Sequence, residues 1–118
     1  MAYDEFMADR VRQVLHEKNV SFKELKMMGC LGFMVDEKMC VGIDKVNSTG
    51  ASRLMCRIGV ALYEQSLLKD GCSEFNFTGR PMKGFVFISS EAIDMQDDLE
   101  YWIQLCLDYN PLARKSKK

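Results

Sequence analysis

The chain has one histidine, two prolines and one tryptophan in 118 residues. With a single histidine, no Ser–His–Asp order is credible, and a Cys–His pair has only His16 to draw on. His16 stands beside Glu17 and Lys18, in the pattern of an exposed helical side chain. The five cysteines, Cys30, Cys40, Cys56, Cys72 and Cys106, are never closer than ten positions. No CxxC pair exists, which excludes zinc-ribbon and thioredoxin signatures. An odd, scattered set reads as reduced thiols, mostly buried, in a cytoplasmic protein. Nine methionines beside them read as core filler, not a soft-metal ligand set. No metal and no cofactor is expected. No apolar run is long enough to span a membrane. The start, Tyr3-Asp4-Glu5-Phe6, lacks the basic end and apolar stretch of a secretory leader, so the sequon Asn47-Ser48-Thr49 carries no weight. Gly29 and Gly32 do not complete a GxGxxG or Walker cradle.

What is present is an ordinary globular mix, 47% hydrophobic and 28% charged, with a net charge of -1. That excludes pervasive disorder and gives no overall field toward nucleic acid. The length suits one domain, residues 1–113, followed by a basic tail at 114–118 expected to be disordered. The tail holds Arg114, Lys115, Lys117 and Lys118; without it, 12 basic residues face 17 acidic ones. Between Gly84 and Ala113 there are six acids and no Lys or Arg. Such an acidic helix does not lie on phosphates, so direct nucleic-acid binding is not expected.

Residues 4–18 predict a helix, with Met7, Val11, Val14 and Leu15 on one face, Asp4 as its cap and Asn19 at its end. From 25 to 58 the pattern turns to short apolar runs split by the polar turn Asp36-Glu37-Lys38 and a loop at 44–52. It predicts three or four antiparallel strands, the added one around Arg53. Residues 61–69 predict a second helix, ended by Asp70-Gly71. Phe75-Asn76-Phe77 begins a strand and Phe85-Val86-Phe87-Ile88 is another. Asp94 is the expected cap of a last helix reaching about Asp108, with Leu99, Trp102, Ile103 and Cys106 at helical spacing and Asn110-Pro111 as its stop. Helices and hairpins in this order argue for α+β, an antiparallel sheet with packed helices.

Phe75, Phe77, Phe85 and Phe87 sit at i, i+2, as in a base-stacking platform, but with few basic residues between them they read as packing under a helix. Asp97, Asp98 and Glu100 read as a solvated helical face. The most distinctive stretch is Gly79-Arg80-Pro81-Met82-Lys83-Gly84. Pro81 fixes φ, the glycines allow a tight turn, and Arg80 and Lys83 can present a small cationic patch to a carboxylate or phosphate. The plain alternative is a structural corner.

In its opening Tyr3-Asp4-Glu5-Phe6, in Lys26-Met27-Met28-Gly29, and above all in Phe77-Thr78-Gly79-Arg80-Pro81-Met82-Lys83-Gly84-Phe85, the chain resembles the TfoX/Sxy amino-terminal domain family. Arg57-Ile58-Gly59 with Tyr63-Glu64, and Leu99-Glu100-Tyr101-Trp102, carry the resemblance further. It departs from the family at Cys30, at Val60 and in the long loop at 44–52. The resemblance implies α-β-β-β-α-β-β-α, like type III secretion chaperones. It also implies a stand-alone bacterial module similar to the amino-terminal part of competence regulators, which assist the cyclic-AMP receptor protein. The expected function is a non-enzymatic cytoplasmic regulatory or protein-interaction module. Its expected binding face is Arg57, Gly79, Arg80, Pro81, Met82, Lys83 and Gly84. A protein partner, such as transcriptional machinery, is expected, and exposed strand edges can pair two copies into a homodimer. The alternative is a binder of, or enzyme on, a small anionic ligand at the same turn.

Overall fold

Asp4 caps the first helix through its Oδ1, which accepts hydrogen bonds from the Phe6 and Met7 amides at 2.9 and 3.2 Å. The computed structural model describes residues 4–27, 30–45, 50–75 and 82–112. Helix α1 (Glu5–Glu17) buries Met7, Ala8, Val11, Val14 and Leu15. Asn19 follows with a φ of 59°, which turns the chain back toward the sheet.

Four strands come next: β1 (Lys23–Met27), β2 (Cys30–Val35), β3 (Lys38–Lys45) and β4 (Ser52–Arg57). Helix α2 (Val60–Leu67), β5 (Cys72–Glu74), β6 (Phe85–Ser89) and α3 (Gln96–Tyr109) complete the fold. All pairings are antiparallel, in the order β1-β2-β3-β4-β6-β5. The α+β class and the antiparallel sheet are as the sequence implies. The added strand around Arg53 is real and lies in the middle of the sheet, so four strands precede α2 where the family order has three.

Strand alternation sorts the side chains. Leu31, Ile43, Leu54 and Ile88 face one another in a row across four strands, and Phe33, Val41, Cys56 and Val86 form a second row. All eight are fully buried and join the faces of α1 and α3 and Tyr63 of α2 in one core. Fully burying one such side chain is worth about 1.5–3 kcal/mol, so these two rows hold the helices to the sheet. The alternate positions, Met55, Phe87, Arg53 and Arg57 among them, therefore point to the opposite face.

Two local readings need correction. The strand expected at Phe75-Asn76-Phe77 lies earlier, at Cys72–Glu74. Pairing starts there because Gly71, with a φ of 81°, turns the chain and its carbonyl accepts the Ser89 amide at 2.9 Å; Asn76 and Phe77 lie outside the described residues. Asp94 does not cap α3. It ends a short 3₁₀ turn, Glu91–Ile93, and Met95 takes the cap position without a side-chain bond. Asn110-Pro111 does stop α3, which ends at Tyr109, and Asn110–Leu112 follows as a 3₁₀ turn. Among the described residues, no helix is long and apolar enough to cross a membrane.

Candidate interaction site

The end of β4, the start of β6 and the end of α3 meet at one corner. The Gly84 carbonyl accepts the amides of Ile58 and Gly59 at 2.8 and 3.0 Å. Gly59 has φ 91° and ψ 158°, a region open essentially to glycine alone. A Cβ there would stand 2.5 Å from Cδ1 of Tyr109. Gly84 is therefore part of a structural corner, the plain reading of the turn. The Met82 amide donates to the Phe75 carbonyl at 3.0 Å and the Phe85 amide to the Met82 carbonyl at 3.2 Å, which fixes the approach to β6.

Around that junction lie residues the sequence singled out, of which Met82 and Lys83 are exposed, Arg57 is half-buried and Gly84 is buried. Arg57 pairs in register with Phe85, and its guanidinium carbon lies 5.3 Å from the Phe85 ring centre and 5.9 Å from that of Tyr109. Among the described residues, no carboxylate lies within ion-pair distance of it. Lys83 is exposed and Met82 is 40% exposed. Arg57 and Lys83 each adjoin a residue of the same junction, Ile58 and Gly84. The structure thus brings together Arg57, Met82, Lys83 and Gly84. Gly79, Arg80 and Pro81 lie outside the described residues.

The other arginine on this sheet face is neutralised. Arg53, four residues before Arg57 and on the same side of β4, donates from Nε and Nη2 to Asp44 Oδ2 at 3.2 and 2.9 Å. Its guanidinium lies 3.5 Å from the centre of the Phe87 ring. Asp44 also accepts from Cys30 Sγ at 3.3 Å. Burial, then this carboxylate, pushes the Cys30 thiol up to about 11. Sequence reading missed this network. The signal available was the alternation Arg53-Leu54-Met55-Cys56-Arg57, which puts both arginines on one face. A groove of about 240 Å³ beside Arg53 is bordered by Ser52, Ser73, Phe87, Ser89 and Glu91.

The aromatic set is not a stacking platform. Phe75 lies 4.8 Å from Phe87 and 5.6 Å from Phe85, and Phe75 and Phe87 are only 9% and 3% exposed, so their faces are used internally. Nor do they pack under a helix, because Val86 and Ile88, not Phe85 and Phe87, face the helices; Phe77 lies outside the described residues. His16 is exposed on α1 and meets Phe22 edge-on at 5.6 Å. Cys40, Cys56 and Cys106 are buried free thiols in the core. A hydrogen bond to Cys106, then burial, drives the Cys40 thiol far above its ordinary range, and burial does the same to Cys106. These thiols are packing groups, not nucleophiles.

A single antiparallel sheet backed on one face by helices, with a cationic corner beside its central strands, defines a small α+β domain. The chain belongs to the TfoX N-terminal domain family, whose profile matches residues 15–109 of its 118. No curated protein matches it.

Proposed function

We propose that this domain is a non-enzymatic, competence-regulator-like interaction module that works in the cytoplasm. Its contact surface is Arg57, Met82 and Lys83 at the corner that Gly84 builds, with Gly79, Arg80 and Pro81 adjoining in sequence. One observation carries this reading. Arg57 lies beside two aromatic rings with no carboxylate partner among the described residues, while Arg53 on the same face is paired. A positioned guanidinium that lacks an internal acid is suited to an external carboxylate, and two donors in a fork suit it better than a lysine would. The partner chemistry is therefore an acidic protein segment. Family membership supports a regulatory protein, such as one of the transcriptional machinery, as the source of that segment.

The test is an affinity pull-down from the native cytoplasm with wild type and with Arg57→Ala/Lys83→Ala. Thermal melts of both proteins establish that the variant is folded. A protein retained by wild type and lost by the folded variant is expected. Equal capture by both removes the corner from the interface. A small anionic ligand would use the same unpaired cation, and a thermal-shift screen separates the two cases. At about 100 times its dissociation constant such a ligand adds about 2.7 kcal/mol of stability. A shift of that size with a free anion, alongside an empty pull-down, would reassign the corner to the ligand.

A further inference from the structure

The sheet has two edges, and they differ. At one, β5 has three residues. At the other, β1 has five and, among the described residues, pairs only with β2. A terminal strand of that length, with no further strand beside it among the described residues, is a template for another strand. Lys23, Glu24, Leu25 and Lys26 are all exposed on it. Leu25, 47% exposed, faces Gly32 across the ladder and so has no side chain opposite to cover it.

The charge pattern selects a partner. In an antiparallel pairing of β1 with itself, registers that keep the two helix faces on one side differ by steps of two residues. Centring on Glu24 sets Glu24 against Glu24, and centring on Lys26 sets Lys26 against Lys26. Centring on Leu25 sets Glu24 against Lys26 twice and Leu25 against Leu25. That register alone joins opposite charges and buries the exposed leucine. A second observation points the same way. Arg12 of α1 holds Glu24 through two bonds at 2.6 and 2.9 Å, and also contacts Asp9 at 2.5 Å and Glu5 at 3.6 Å. Three carboxylates thus gather round one guanidinium, beside the position that the second copy's lysine would enter.

We propose that two copies of this chain form a homodimer by antiparallel pairing of β1 with β1, about a twofold axis through Leu25. The six-stranded sheet becomes continuous across the axis, with the helices of both copies on one side. The two cationic corners then lie on one shared sheet surface, far from the axis. A five-residue ladder is small beside a standard interface of about 1,600 Å², so the dimer is weak, visible at ~100 µM protein and dissociated at ~1 µM.

Sedimentation velocity over that concentration range tests it, with Lys26→Glu and Glu24→Lys measured separately and then mixed. Each variant alone sets like charges against each other, and each is expected to dimerise at least tenfold more weakly than wild type. The equimolar mixture restores two opposite-charge pairs and is expected to regain the wild-type association. Lys26→Glu leaves the Arg12–Glu24 bonds in place and guards against reading a folding defect as lost pairing. Its expected weakening stands even where Glu24→Lys is unstable. A wild type that stays monomeric at ~100 µM overturns the proposal, as does association unchanged by Lys26→Glu.

Discussion

A methyl group on Gly59 would do two kinds of damage, and they can be separated. It would collide with the Tyr109 ring at 2.5 Å, and it would hold a side chain at φ 91°, ψ 158°. The collision can relax, because a ring at the end of a helix can turn; the backbone strain cannot. Gly59→Ala is therefore expected to lower stability by about 3 kcal/mol, read from urea unfolding. Gly59→Ala combined with Tyr109→Ala is expected to stay well below Tyr109→Ala alone. Equal stability of those two proteins would show that only the clash matters. Lys83 and Gly84 stand out in the chain, because a stretch of two glycines, a proline and two basic residues is uncommon; Gly59 does not. Nor does the corner's third wall. Tyr109 is fifty residues from Gly59, and nothing in local composition says that the end of α3 closes over Arg57. The Arg53–Asp44 pair was missed for a related reason: the acid belongs to a loop composition in sequence but to the end of β3 in the structure.

At the scale of elements, the β2–β3 hairpin carries the clearest internal conflict. Asp36 and Glu37 take φ values of 54° and 64°, the positive pair that a two-residue type I′ turn requires. Aspartate tolerates this conformation, glutamate poorly. The turn cannot relax to another type because both flanks are tied to the end of α3. Lys38, only 7% exposed, donates from Nζ to the Asn110 carbonyl at 3.0 Å, and Asn110 Nδ2 donates to the Val35 carbonyl at 3.2 Å. Glu37→Gly is expected to raise stability by about 1 kcal/mol, seen as a higher urea midpoint with an unchanged slope. A loss of stability would mean that the Glu37 side chain contributes more than its backbone strain costs. The helices α1 and α3 were readable because their apolar residues repeat at 3.6, and the hairpin because polar residues split two apolar runs. The start of α3 was not. A 3₁₀ turn at Glu91–Ile93 uses up the segment that Asp94 would otherwise cap, and three residues give no period to detect. The short β5 escaped for the same reason: its place is set by pairing with Phe87 and Val86, not by its own pattern.

At the scale of the whole molecule, the thiols record how the helix layer meets the sheet. Cys40 on β3, Cys56 on β4 and Cys106 on α3 are buried where α3 crosses the central strands, whereas Cys30 and Cys72 are half-buried near the periphery. A labelling reagent needs a thiolate and access. Cys30 and Cys72 have access, but burial, joined by Asp44 at Cys30, pushes both thiols up to about 11, so at pH 8 they react slowly. Their rate should rise about tenfold per pH unit toward that value. The three central thiols should react only when α3 leaves the sheet, which requires global opening. Low urea should therefore accelerate them steeply and leave the first two nearly unchanged. The same shifts link stability to pH. A thiol held above its ordinary value of 9.0 when folded binds its proton more tightly than in the open chain. Its contribution is fully present below about pH 9 and is lost as pH rises, because the open chain then releases protons that the folded chain retains. The urea midpoint should be flat from pH 7 to 8 and fall between pH 9 and 11. Replacing Cys40 and Cys106 together with valine should make that fall shallower. Three central thiols that label at pH 8 as fast as Cys30 and Cys72 would mean that the helix layer opens locally, and the core would then be two units where the packing describes one.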